Sequence, residues 1–149
     1  LVEPKYKNPF ARVGHWEKYY SISTFAGKFE VIEYVENHIE RDIERFSNGN
    51  YYNDKEFADQ VAMDLNLQQK LRQFTYENGW SEELWEIDDL SKFYIVFTGY
   101  DKCWRVACSD YHQNPFAVYF KEYKTAELAI EEVVKPFCKE NPNYRFQEE

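Results

Sequence analysis

Cys103, Cys108, His112 and Cys138 are the residues whose types would suit a zinc site or a nucleophile. Their spacing supplies neither. Structural zinc is gripped by knuckle-like pairs of ligands, whereas Cys103 and Cys108 stand five apart on an alternating stretch and would face opposite sides of a strand. A thiol nucleophile, Cys108 or Cys103 with His112, needs a strand-to-helix elbow and a third group to orient the base. Neither surrounds these residues, and His15 and His38 are distant in sequence. The acidic pairs Glu82-Glu83, Asp88-Asp89 and Glu131-Glu132 are neighbours on one element, while glycoside hydrolysis needs two carboxyls converging from separate elements. Five scattered glycines make no phosphate-cradling loop. The expectation is a non-enzyme with no metal and no cofactor.

Charge says more. The 149 residues carry a formal net charge of -9, and residues 30–89 hold sixteen acidic side chains against five basic ones, a net -11. Such a chain repels phosphate backbones and anionic lipid and is steered toward basic surfaces. Direct nucleic-acid binding is therefore disfavoured, and a basic protein partner is expected. Glu33, Glu36, Glu40 and Glu44 recur at spacings of 3 or 4. On a helix they would form a stripe with about 5–6 Å between neighbours, comparable with phosphates along a nucleic-acid strand.

The elements that must position these groups read as one α+β domain over residues 1–149. Residues 1–16 form an irregular arm with Pro4, Pro9 and Gly14, and 17–23 a short strand able to join a later sheet as its fourth member. From Thr24, Phe25, Phe29, Ile32, Val35, Ile39, Ile43 and Phe46 draw one apolar stripe, which predicts a helix ending at Asn48-Gly49. A second helix, capped by Asn53 or Asp54, carries two offset stripes and predicts a bend or break near Leu65-Asn66. Residues 91–149 read as β-β-β-α. Phe93, Ile95, Phe97, Trp104, Val106, Phe116, Val118 and Phe120 make an apolar face, and Tyr94, Arg105 and Tyr119 lie on the mixed opposite face, covered or open to a partner. Thr125 is the expected cap of the last helix, and Pro136 is expected to end or kink it.

Within residues 92–134, Tyr94, Trp104, Val118, Tyr119, Phe120, Thr125, Ala129, Ile130, Glu131 and Glu132 follow a pattern of Tyr-rich strand, Trp strand, "VYF" strand and "T-x-x-x-A-I-E-E" helix. This resembles the C-terminal module of small phage- and prophage-encoded proteins. The layout is also similar to the arm-binding domains of tyrosine recombinases, whose sheets enter DNA grooves. That use needs several basic strand residues, where this chain has Lys102 and Arg105. The phage resemblance implies a protein working in the bacterial cytoplasm. With no membrane-length apolar run and no visible signal peptide, the expected partner is a basic host protein, such as a nucleic-acid-handling defence enzyme. Glu33, Glu36, Glu40, Glu44, Tyr94, Arg105 and Tyr119 would inhibit it by occlusion. The alternatives are a single-stranded nucleic-acid binder stacking bases on Tyr94, Tyr119 and Trp104, and a toxin-neutralising immunity protein.

Overall fold

Ala26 and Gly27 take φ of 50° and 80°, the left-handed pair that a tight two-residue hairpin turn requires. In the computed structural model, which describes residues 7–149, they join β1 (Lys18–Phe25) to β2 (Lys28–Val35) in antiparallel register, from Lys18↔Val35 to Phe25↔Lys28. This corrects the helix expected from Thr24 to Phe46. Five of the eight β2 residues are β-branched or aromatic and suit a pleated surface. A helix would instead have held Gly27 in its interior at a cost of about 1 kcal/mol. Only its last third is helical, as α1 (Glu40–Ser47). β1 is likewise no fourth strand of the later sheet: its own sheet has two strands, and its free edge is bridged by Tyr52, which exchanges both main-chain hydrogen bonds with Tyr20 at 2.7 and 2.8 Å.

The chain divides into two compact units, Leu1–Leu65 and Asn66–Glu149. Helix α2 (Lys55–Glu77) begins where Asp54 accepts the Phe57 N–H at 3.1 Å and runs unbroken through the position where a bend was expected. The offset of its stripes has a different cause. Ala58 and Ala62 are buried in the first unit, Leu67 and Leu71 in the second.

In the second unit α2 stops at Gly79 (φ 91°), where the Trp80 N–H returns to the Thr75 carbonyl at 3.0 Å. A 3₁₀ turn (Glu82–Glu86) leads to β3 (Lys92–Thr98), β4 (Cys103–Ser109) and β5 (Tyr119–Phe120), in the order β4-β3-β5. The last strand is shorter than residues 116–120. Asn114 takes the Phe116 N–H on its side chain and the Ala117 N–H on its carbonyl, so Pro115–Ala117 form a turn and Phe116 is exposed instead of core. The register does place Phe93, Ile95, Phe97, Trp104, Val106 and Phe120 on one face. Tyr123, at the start of the closing helical run, packs edge-on against Phe93. The opposite face is roofed by Trp80 and Trp85, whose rings contact Tyr119, and Lys92 is buried with Nζ 4.7 Å from the Trp85 ring.

Pro136 does not end the closing helix. α3 (Tyr123–Ala129) widens into a π turn (Ile130–Val134) and resumes as α4 (Lys135–Glu140). The Lys135 N–H reaches the Ile130 carbonyl, five residues back. The proline ring would crowd the carbonyl four residues before it, and a wider turn relieves that while the helix continues.

The hairpin assignment is testable at its turn. Ala26→Asn places the residue favoured at φ near 50° and is expected to stabilise the chain by about 0.5–1 kcal/mol in urea denaturation. A helix at this position would make the same change destabilising.

Candidate functional site

Unit 1 buries two carboxylates. Glu36, directly after β2, has 0% exposure and Asp42, in α1, has 2%. Each is answered by fixed donors. Glu36 Oε1 receives Arg12 Nε at 2.6 Å and the Tyr51 hydroxyl at 3.1 Å, and Oε2 receives the His38 N–H at 3.3 Å. Asp42 Oδ1 receives the Tyr19 hydroxyl at 2.5 Å. Its Oδ2 reaches back to the N–H groups of Asn37 (2.9 Å) and Ile39 (3.3 Å), as a carboxylate three residues into a helix can, and this starts α1. Arg45 donates to the Tyr19 hydroxyl at 2.8 Å and lies 3.7 Å above the Tyr34 ring. The Tyr19 and Tyr51 rings stack at 4.1 Å and link the two carboxylate sites.

This network turns α1 inside out. An amphipathic helix ordinarily buries its apolar stripe. Here Asp42 and Arg45 point inward, while Ile39, Ile43 and Phe46, at spacings of 4 and 3, are 52%, 48% and 40% exposed. Glu40 and Glu44 flank that row on its solvent side. Trp16, 71% exposed, stacks on His15 at 4.4 Å. His15 meets His38 at 5.0 Å, and Arg12, 3.4 Å from His38 Nδ1, reaches over the Phe46 ring. Ring and cation contacts thus connect Trp16 to the helix row. Trp16 (φ 70°) and His38 (φ 57°) also hold left-handed backbone, a conformation costing about 1–2 kcal/mol for such residues. Both are tied to Glu36, Trp16 by its N–H to the Glu36 carbonyl at 2.8 Å and His38 by its N–H to the Glu36 side chain.

The four glutamates expected to form one stripe therefore do not. Glu33 lies on β2, paired with Lys18 at 3.5 Å; Glu36 is buried; Glu40 and Glu44 alone share an exposed helix side. Of the sheet residues, Tyr94 is half-buried edge-on against Tyr119, and Tyr119 is buried with its hydroxyl taking the Asn114 N–H at 2.7 Å. Arg105 is exposed and paired with Asp101. Trp104 packs against Phe97 and Phe146, so these rings are engaged within the unit rather than free for base stacking. Cys108 is exposed and Cys138 buried, and among the described residues no group of three or more His, Cys, Asp or Glu is arranged to hold a metal ion. No described helix is long and apolar enough to cross a membrane. The residues absent from the expected site are Arg12, Trp16, Asp42 and Arg45. Asp42 and Arg45, three apart and set off the apolar stripe, were the available signal.

Comparison with protein-family models, with curated proteins and with solved structures finds no match for this chain.

Burial pushes the Asp42 carboxyl up, but the Tyr19 hydroxyl and the Asn37 and Ile39 N–H groups outweigh it and hold it below the usual carboxylate range. Burial, reinforced by the hydrogen bond to Asp42, pushes Tyr19 up to about 12. The signs are opposite. Asp42 contributes stability above its unfolded value of about 3.9, lost as pH falls through its folded value; Tyr19 contributes stability below about 10, lost as pH rises from about 10 toward 12. Urea midpoints are expected to fall in both limbs. Tyr19→Phe should flatten the alkaline limb and lower stability by about 1–3 kcal/mol at neutral pH, because a buried carboxylate loses a donor.

Proposed function

We propose that this protein is a non-enzymatic binding protein that occludes a basic surface of another protein through the outward face of α1. The observation that carries this reading is the inverted helix. Ile39, Ile43 and Phe46 stand exposed while Asp42 of the same helix is buried and Arg45 turns inward beside it, its side chain 22% exposed. Burying charge requires every group to be answered, and an apolar core in its place is often as stable or more so. The arrangement is thus poorly explained by stability alone. Exposed Trp16 and the half-exposed Arg12 side chain adjoin the row, and Trp and Arg are the residue types most enriched among binding hot spots.

Glu40 and Glu44 at the rim, on a chain of net charge -9, favour a partner with basic residues around an apolar groove. Charge would set the association rate and the apolar row the residence time. A nucleic-acid-handling host protein fits that description. The phage or mobile-element setting rests on the resemblance of residues 92–134.

The test is affinity capture from nuclease-treated bacterial lysate with three chains: wild type, Ile43→Ser with Phe46→Ser, and Glu40→Lys with Glu44→Lys. A basic protein retained by wild type should be lost from the serine variant, whose circular dichroism and thermal midpoint stay native because both positions are already half exposed. The lysine variant should capture it at least tenfold more weakly at low salt. Equal capture by all three chains would refute the assignment of this face.

A further inference from the structure

The second unit carries an open sheet edge, and its geometry is independent of the α1 face. In the order β4-β3-β5, β4 is outermost. The Trp104 N–H donates to Glu148 Oε1 at 3.1 Å, so it points away from β3. Antiparallel pairing alternates with a period of two. The N–H and C=O groups of Val106 and Cys108 therefore point the same way, and neither N–H has a partner among the described residues. β4 also lacks the usual protections of an edge: it contains no proline and a single charged residue, Arg105.

Beside this edge lies a cleft of about 630 Å³ between β4 and the helical run from Tyr123 to Lys135. Val106 and Ile130 line it, and Tyr123 and Leu128 stand half exposed at its wall. The cleft's charges balance, with Arg105, Lys124 and Lys135 against Glu127, Glu131 and Glu148. Arg105 is held by Asp101 and Lys135 by Glu131 at 2.5 Å. A polyanion or a polybasic segment finds no matching field here, whereas a neutral one does. The chain's own tail shows what the edge accepts: an acceptor oxygen, from Glu148, on the first outward N–H.

We propose that β4 and this cleft bind a neutral extended peptide with apolar side chains at alternate positions, which adds to the sheet as a strand beside β4. Main-chain pairing would hold the peptide, and the cleft would take every second side chain. With the Trp104 N–H held by Glu148, the open edge runs from Arg105 to Ser109, five residues or roughly 17 Å at about 3.4 Å each, so five or six peptide residues fill it.

The probe is a fluorophore-tagged hexapeptide alternating valine with threonine, titrated into the full chain by anisotropy. Its control is the same peptide N-methylated on alternate amides to remove the donors facing β4. Saturable binding at least tenfold tighter than that of the methylated control is expected. Val106→Pro removes one outward N–H, and proline is tolerated on a strand edge; it should weaken binding tenfold with an unchanged thermal midpoint. Should it disturb folding, Leu128→Glu, at a half-exposed position, should weaken binding without touching the backbone. No binding, equal binding of the two peptides, or a stable edge-to-edge dimer of the chain that the peptide does not dissociate would overturn the proposal.

Discussion

A carboxylate removed from water has to be answered by donors, and Asp42 is answered by the Tyr19 hydroxyl at 2.5 Å and the N–H groups of Asn37 and Ile39. Left unanswered, such a group costs several kcal/mol. The first unit is arranged around avoiding that. The β1–β2 hairpin carries Tyr19 to the carboxylate, Asp42 caps its own helix, and Arg45 closes on the Tyr19 oxygen. An eight-residue helix does not persist by itself in water. This one is fixed by polar contacts, and they set which way it faces.

That facing connects structure to proposed use. With Asp42 and Arg45 inward, the geometry of 3.6 residues per turn places Ile39, Ile43 and Phe46 toward solvent. The same polar assembly restrains the neighbouring chain. Glu36 ties down Arg12, Trp16 and His38, two of them in left-handed backbone that an unconstrained chain would leave. The exposed surface is consequently held in one shape, which would lower the ordering cost of the association proposed for it. The second unit follows another logic. Its sheet is covered on both faces by a helix and a tryptophan-bearing turn, and what it leaves open is the edge of β4.

The C-terminal half was legible because its signals agree. Alternation in 92–98 and 103–109, turn residues between them and a helical stripe from Ala126 each name an observed element. The helix, however, begins at Tyr123 with Glu122 before it, so Thr125 lies inside it instead of capping it, and the third strand keeps only Tyr119–Phe120. Residues 24–46 misled because Phe29, Ile32, Val35 and Ile39 satisfy a helical period by coincidence while 28–35 also suits a strand. The deciding residue was Gly27, in a turn with alanine where asparagine is more usual. The fate of each acid was illegible for a related reason. Glu36 and Glu40 look alike in sequence, but Arg12, Tyr51 and the His38 N–H converge on Glu36 only in three dimensions. The π turn at Ile130–Val134 was likewise hidden, since a proline announces a disturbance without specifying its form.

The orientation of α1 is the claim on which the functional reading stands, and hydroxyl-radical footprinting of the unmodified chain, read residue by residue by mass spectrometry, tests it most directly. After correction for intrinsic reactivity, Ile43 and Phe46 are expected to oxidise readily, while Tyr19 and Tyr51, with 0% and 1% exposure, stay protected. Protection of Ile43 and Phe46 to the level of Tyr19 in the free protein would mean that the apolar row is buried, and would contradict the inverted helix and the binding face built on it.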